Sequence, residues 1–546
     1  MEEAEMLKRR TIAMGLIAAM GISSLAGCGN TQNGNGKTDA VGTAVSAESK
    51  AESASAEDSA GVDTSEKIEL RIMAQTGLDL DTLPVYQRIE EKYNVDLVWD
   101  TVESGYSEKK AVVLASNDLP DIFFAGLTED DIVANPELFV DLTGLLEYAP
   151  NVQKMFEEVP LTKYISTYGE EGILSLPQVI GFNPQSWEVM MINKTWLDKL
   201  GLELPTTFDE LETVLKAFKE QDPNGNGKAD EIPMDWPCEY GHGPYVLTGS
   251  YGVVDDKNKI TLQDGKVDFL YTTDAWKNVT KYLNKLYQEG LINPEVYTTT
   301  DYQVANALSS EGDVARVGFT FGWSIESRTG KFADEYVVLP QLKADDSITN
   351  EMWACGPKDR VNVAVACVLT KSCKYPERAM QVINELYSED FALQEYYGSS
   401  PEFVEKQEDG TWIIKEPESG TIEEQKLKNA MVNRAPCYTS EDQQARTILP
   451  KELQARLDQD NVYADQRPSQ DQIYPAVKFS NEATEELTYL KTDIDKLVDQ
   501  KAAEWAVNGG IDEEWDDYLE QLNKMGLDRM REIYQEAYDE WAAQTK

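Results

Sequence analysis

The chain carries a single histidine, His242, in 546 residues. That excludes H-E-x-x-H metalloprotease sites and any metal centre built from several imidazoles. Cysteine is scarce too: Cys28, Cys238, Cys355, Cys367, Cys373 and Cys437 complete the set, and no two stand in C-x-x-C spacing. Without Cys28 an odd number remains, so neither a disulfide framework nor a cysteine zinc site is expected. Cys367, inside VNVAVACVLT, reads as a small core residue. Positive charge is short: 50 Lys and Arg face 98 Asp and Glu, a net charge of −48 that repels phosphate backbones and anionic membranes. Nucleic acid is not an expected partner. Two catalytic patterns also fall short. TGSYG has Thr248 where a G-x-S-x-G elbow needs Gly, and GNGKT has Thr31 where a phosphate loop needs its first Gly, with no strand ahead of it.

The apolar run TIAMGLIAAMGISS is too short to span a bilayer, but it follows Lys8, Arg9 and Arg10 and precedes LAGC ending at Cys28. This pattern resembles a bacterial lipobox, which makes residues 1–27 a signal peptide and Cys28 the lipidated first residue of the mature chain. The acidic stretch before the basic cluster is unusual and makes Met6 a second candidate start. The expected location is the extracellular face of the cell membrane. Residues 28–66, rich in Gly, Ser, Ala, Asn, Thr and acid, bury too little surface to fold and read as a disordered tether. Treated as a flexible coil, it reaches roughly 35 Å.

A chain of this length exceeds one ordinary core, so at least two lobes are expected. Folded structure begins at KIELRIMAQTG, where Ile68, Leu70, Ile72 and Ala74 alternate as in a half-buried strand. Leu83, Tyr86, Ile89 and Tyr93 then recur at helical spacing, and VDLVWDTV reads as a second strand. Strand, helix, strand predicts a parallel α/β sheet. In TFDELETVLKAFKEQ, Thr207 and Glu210 have capping-box spacing. Further helices are predicted from Asp274 to Gly290, and at EEWDDYLEQLNKMG and LDRMREIYQEAYDEW. Trp276, Trp505 and Trp541 fall on helical periods and read as packing residues.

The stretch DPNGNGKADEIP matches the EF-hand pattern D-x-[DN]-x-[DN]-G at its first, third, fifth and sixth positions. Lys228 offers a backbone carbonyl at the seventh position and Asp230 a carboxylate at the ninth. The Glu normally at the twelfth is replaced by Pro233, and Glu231 is the nearest substitute. Turn chemistry accounts for Pro, Gly and Asn but not for oxygen donors at alternate positions, so a structural Ca²⁺ is expected.

Trp187, Trp236, Tyr240, Tyr245, Trp323 and Trp353 each lie beside Gly, Pro or another turn signal. Loop aromatics offer flat apolar faces that match the C–H faces of sugar rings, while carboxylates such as Asp121 take hydroxyls. Core packing is the competing role for each ring.

Taken with these features, SNDLPDIFF, VMMINKTWLDKLGLELPTTFDEL, LYQEGLINPE and the terminal WDDYLEQLNKMGLDRMREIYQEAYDEW give the chain a resemblance to a known family. It resembles the family 1 extracellular solute-binding proteins of bacterial ABC transporters, in the lipoprotein branch that is similar to alginate-oligosaccharide-binding proteins. The resemblance implies a two-lobed, periplasmic-binding-protein-like α/β fold with hinge-linked lobes and a helix-rich C-terminus. Lobe 1 would comprise residues 67–185 plus 366–440, and lobe 2 residues 186–365 plus 441–546. The chain would cross between lobes near NPQSWEVMMINK, near NVAVACVLTKS, and before the C-terminal helices. It further implies oligosaccharide capture by lobe closure, delivery to ABC permease transmembrane subunits, a monomer, and no catalysis. Trp323 falls where the family places a sugar-stacking aromatic, and the calcium ligands map to Asp222, Asn224, Asn226, Lys228, Asp230 and Glu231. After LYSEDFALQEYYG the chain departs from the family, which puts ligand contacts from that segment in question. A cell-surface glycosidase using carboxylates such as Asp121 and Glu188, and a sensor coupled to a membrane kinase, are the open alternatives.

Overall fold

Apolar runs with strand periodicity become short strands, and the amphipathic stretches between them become helices packed on the sheets. The structure, a computed structural model, describes residues 62–116, 118–237, 243–299, 302–358 and 361–545. In chain order the principal strands are β1 (Ile68–Ala74), β2 (Val95–Thr101), β3 (Ile122–Phe124), β4 (Leu176–Gln178), β5 (Val189–Asn193), β6 (Ile232–Asp235), the hairpin β7 (Ile260–Gln263) and β8 (Lys266–Phe269), then β9 (Val317–Gly322), β10 (Tyr336–Val338) and β11 (Val363–Leu369). The helices needed here are α1 (Pro84–Tyr93), α2 (Phe208–Glu220), α3 (Asp274–Gln288), α4 (Ile325–Thr329), α5 (Lys451–Asn461), α6 (Asn481–Asn508), α7 (Ile511–Lys524) and α8 (Leu527–Thr545).

Two sheets organise the chain, one in the order β2-β1-β3-β11-β4 and the other in the order β10-β5-β9-β6. In the first, β1 pairs in parallel with β2 and β3, as the strand–helix–strand pattern predicts. β11 runs antiparallel to both β3 and β4, so this sheet is mixed rather than purely parallel. The cause is connectivity: β11 arrives from the second sheet and needs no helical crossover to reverse its direction. In the second sheet β9 pairs antiparallel with β5 and parallel with β6.

Each sheet has its own core. Ile72, Phe124, Leu176 and Cys367 pack with Tyr86 and Ile89 of α1 around the first. Met190, Ile192, Phe319 and Phe321 pack with Leu215 and Phe218 of α2 around the second. Cys367 is thus the core residue its apolar context predicts. A third core joins the β7–β8 hairpin to α6, α7 and α8 through Trp276, Trp505, Trp515 and Tyr518. Trp276 and Trp505 are both buried. The segment that departs from the family pattern forms two strands of a small three-stranded sheet completed by Thr447–Ile448, with Trp412 buried on its middle strand.

Helix starts follow their caps. Thr207 Oγ1 accepts from Glu210 N, while the Glu210 carboxylate reaches back to Thr206 N at 2.7 Å, one residue earlier than a regular capping box. Thr273 caps α3 by accepting from Trp276 N. At the other end of the described chain, Arg378 Nη1 donates to the Asp63 carbonyl and Asn94 Nδ2 to the Thr64 carbonyl. Ordered structure therefore starts before Lys67, because those backbone carbonyls find partners on the body. Cys28 and the rest of the expected signal and tether up to residue 61 lie outside the described residues. Among the described residues no helix is long and apolar enough to cross a membrane.

The chain passes between the sheets first through residues 179–188, from β4 to β5, and then through residues 339–362, from β10 to β11. These passages lie side by side: Ser186 bridges Cys355, and Gly356 N donates to the Gln185 carbonyl at 2.8 Å. A third passage is made by α5, between Ile448 of the small sheet and Tyr463 of the second core.

Candidate ligand-binding cleft

In open α/β sheets, ligands bind beyond the carboxyl ends of parallel strands. The parallel strands β6 and β9 end at Asp235 and Gly322, and the register sets Thr320 opposite Asp235 and Gly322 opposite Val189, the first residue of β5. Trp236 and Trp323 follow Asp235 and Gly322 directly, and Trp187 stands two residues before Val189, so three of the sequence-predicted rings share one edge of the second sheet. The first passage, 179–188, enters at that same edge. From the first sheet it leaves at the Gln178 end of β4, opposite Val363 of β11.

This edge carries a buried charge pair that the sequence reading missed. Arg328 Nη2 lies 2.6 Å from Asp235 Oδ2, and both side chains are almost fully enclosed. Asn293 Nδ2 donates to Asp235 Oδ1 at 2.9 Å, and the guanidinium also donates to Thr320 Oγ1 and to the Ala305 carbonyl. A buried pair is tolerable only when its remaining donors and acceptors are met in this way. The partners lie far apart in sequence, so no local spacing announces them.

The three rings have different settings. Trp323 is partly exposed, and the Arg456 guanidinium carbon sits 4.4 Å from its ring centroid. Trp236 is largely buried, meets Tyr297 edge-on at 5.6 Å, and lines a cavity of about 330 Å³ together with Tyr245, Tyr271, Trp276 and Lys257. Trp187 lines a cavity of about 450 Å³ between Leu161, Val361 and Asn362 on one side and Asn258, Tyr474 and Tyr534 on the other. Burial pushes the Asp256 carboxyl in that wall up to about 6. A third cavity, about 730 Å³, lies along residues 179–185 and reaches Lys358 and Tyr438.

Two expected contacts are placed elsewhere. Trp353 is fully buried and stacks on Tyr463 at 3.9 Å, so both of its surroundings are core and no ring face is left for a sugar. Asp121 precedes β3, and its carbonyl accepts from Thr370 N, at the Leu369 end of β11. The passages between sheets meet β11 at its opposite end, at Val363. The Asp121 carboxylate instead accepts from Arg71 N at 2.7 Å, a tie between neighbouring strands. Tyr240 and His242 lie outside the described residues.

Immediately before β6, the loop from Asp222 to Glu231 folds around its own oxygens. Asp222 Oδ1 accepts from Gly225 N and Asn226 N, and its Oδ2 accepts from Gly227 N at 3.0 Å. Gly227 has φ +75°, a conformation glycine supplies without strain. Asn224 and Asn226 both direct Nδ2 at the Asp230 carboxylate, at 3.1 Å. Glu231 Oε1 is buried and meets no hydrogen-bond donor. Burial, with the charges of Asp222 and Asp230 adding to it, raises the Glu231 carboxyl above its ordinary range. Asp222 and Asp230 lie near enough to Glu231 to act on its charge, and an oxygen-rich loop with one unmatched buried carboxylate oxygen has the chemistry of a hard-cation site, so these residues fit the expected Ca²⁺. Among the described residues no cluster of three or more His, Cys, Asp or Glu is arranged for a metal, so any ion would depend on the Asn and carbonyl oxygens as well.

A family profile described as "Bacterial extracellular solute-binding protein" matches residues 81–392. The chain belongs to that family. The fructooligosaccharide ABC transporter substrate-binding protein FusA of Streptococcus pneumoniae serotype 4 is 30% identical to this solute-binding protein over 481 residues, 84% of this chain and 87% of FusA. An HMO-binding, ABC-transporter-associated solute-binding protein from Bifidobacterium longum infantis superimposes with a TM-score of 0.78 at 29% identity, covering 87% of this chain and 99% of that one. FusA in complex with kestose superimposes with a TM-score of 0.72 at 27% identity, covering 88% of this chain and all of that one. FusA has also been solved as an EF-hand mutant, with a TM-score of 0.72 at 28% identity and coverage of 87% of this chain and 100% of that one. The two-lobed fold expected from sequence is the fold of these relatives. In this solute-binding protein the carboxylates considered for glycoside hydrolysis do not face one another. Glu188 is buried beside β5 at the cleft edge, and Asp121 is at the far end of the first sheet.

Proposed function

We propose that this chain is the substrate-binding protein of an ABC importer, held to the cell membrane by lipid on Cys28, that captures an oligosaccharide between its two sheets and presents it to the permease. Lobe 1 is read as residues 67–185 plus 366–440 and lobe 2 as residues 186–365 plus 441–546, with the passages at 179–188, 339–362 and α5 as hinges. Three tryptophans, Trp187, Trp236 and Trp323, at the edge where those passages enter are the observation that carries the reading. Flat rings beside hydrogen-bonding side chains suit the apolar face and hydroxyls of a pyranose or furanose. The fructooligosaccharide-binding relative supports a sugar ligand, and the strongly negative charge of the chain favours neutral sugars over uronic ones. Contacts to both lobes would stabilise the closed state, which the permease then recognises.

The same reading assigns Ca²⁺ to the loop before β6, held by Asp222, Asn224, Asn226, the Lys228 carbonyl, Asp230 and Glu231. When bound, the ion neutralises these carboxylates and fastens the loop. Arg316 Nε, bonded to the Asp230 carbonyl at 3.2 Å, and Ile232 N, bonded to the Arg316 carbonyl, tie that loop to β9.

The test is isothermal titration of the full chain with kestose and a panel of neutral and acidic oligosaccharides, with product analysis of the same mixtures. Saturable, stoichiometric binding of at least one oligosaccharide without turnover is expected. Silence across the whole panel, or sustained release of shorter sugars, would overturn the proposal.

A further inference from the structure

One face of α5 grips two separate parts of the cleft edge. Arg456, Gln459 and Asp460 lie at i, i+3 and i+4 and therefore point the same way. Asp460 accepts from Gln185 N at 3.0 Å and from Ser186 N at 2.9 Å, in the first passage between the sheets, and is paired with Arg467 at 2.7 Å. Gln459 Oε1 accepts from Ile325 N at 3.0 Å and its Nε2 donates to Glu326 at 2.8 Å, so it holds the start of α4, just after Trp323. Arg456 joins the two: Nη2 donates to the Ser186 carbonyl at 2.8 Å, while the guanidinium lies over the Trp323 ring. Arg456 is only 4% exposed and Trp323 is partly exposed, so the arginine covers the inward face of the indole.

We propose that Arg456 is a positioning residue for ligand recognition: it backs the inner face of Trp323, leaves the outer face to a sugar ring, and through Ser186 couples that ring to the hinge. The inference rests on the reading of Trp323 as a ligand-stacking ring. A planar cation lying on an indole fixes the plane of the ring without occupying the side that meets solvent, and arginine does this better than lysine because its guanidinium is flat. A sugar stacked on the outer face would then meet a ring already held in place. Any shift of that ring on binding would pull on the same arginine that holds residue 186.

The experiment compares Arg456→Met, Arg456→Lys, Trp323→Leu and the Arg456→Met/Trp323→Leu double variant in the full chain labelled with 5-fluorotryptophan. The Trp323 fluorine line is assigned by its disappearance in Trp323→Leu. Without any sugar, that line is expected to shift and broaden in Arg456→Met and to change less in Arg456→Lys. With kestose as the probe, Arg456→Met should weaken binding roughly tenfold, in keeping with a desolvated cation–π contact. The double variant should bind no more weakly than Trp323→Leu alone, since the arginine acts through the ring. An unchanged fluorine line in Arg456→Met overturns the proposal, as does additive loss in the double variant. If Arg456→Met does not fold, Arg456→Lys carries the same comparison. If the unaltered chain ignores kestose, the sugar reading fails for that probe, while the fluorine line still decides whether Arg456 positions Trp323.

Discussion

Each half buries a carboxylate that burial pushes upward, and the two are given very different partners. Asp235, at the end of β6, meets a guanidinium at 2.6 Å and an amide at 2.9 Å. Glu395, packed against α1, receives only the Tyr86 hydroxyl at 2.7 Å, and its Oε1 meets no donor. Burial with so little compensation pushes Glu395 up to about 8, so it is held as a neutral acid through most of the neutral range. Burial raises the Asp235 carboxyl as well, but the Arg328 guanidinium and the Asn293 amide oppose that rise where the strands open onto the cleft. The first half removes charge from a place that only packs. A buried carboxylate can thus be an ionic fixture at a binding edge or an ordinary polar filler, and the difference is the partner supplied.

The sharpest way to break this contrast is Arg328→Met. It leaves Asp235 buried beside an apolar side chain, and a loss of about 3–5 kcal/mol in urea unfolding is expected. Adding Asp235→Asn to the same chain should restore a large part of that loss, because the stranded charge is gone. A double variant no more stable than Arg328→Met would show that the pair acts through packing.

In the first half the matching experiment is Glu395→Gln followed across pH. The folded chain keeps the Glu395 proton up to about pH 8, whereas the unfolded chain releases it near 4.5. The folded state therefore binds more protons between these values, and this contribution to stability is full below about 4.5 and lost as pH rises through about 8. The difference in unfolding free energy between the unaltered chain and Glu395→Gln should change by up to about 5 kcal/mol over that window, in favour of the variant at the alkaline end. A difference independent of pH would mean the carboxylate is already ionised in the core.

The smallest expected effect belongs to the loop that feeds β6. Ca²⁺ at 100 times its dissociation constant should stabilise the chain by about 2.7 kcal/mol, read as a higher thermal midpoint that a chelator reverses. Asp222→Ala should remove the response without abolishing the fold. If neither ion acts, the second half does not owe its order to a metal, and if Mg²⁺ acts as strongly as Ca²⁺ the loop is not a Ca²⁺-selective site.

Much of this architecture is legible in the sequence because it depends on local pattern. Alternation marks β1, helical spacing with Tyr86 and Ile89 marks α1, and Thr207 and Thr273 sit where caps belong. α6 was less legible. Its length of 28 residues hides a sparse stripe, Ile494, Val498, Ala502 and Trp505, spaced at four, four and three, in otherwise charged sequence. That spacing, together with Ser480 ahead of the helix, is the signal that would have found it. The cleft was readable only as a list of loop aromatics. Trp323 and Trp353 both stand beside turn residues, yet one is open at the cleft edge and the other is closed in a stack with Tyr463.

By itself the sequence determined the α/β class, the main strand and helix positions, the oxygen-rich loop and the family, all of which follow from short-range periodicity and motif spacing. Tertiary structure alone decided the direction of β11, the pairing of Asp235 with Arg328, the placement of Arg456 over Trp323 and the neutral state of Glu395. The physical reason is that each of these depends on which distant side chain fills the space opposite, and burial sets the cost of a wrong match.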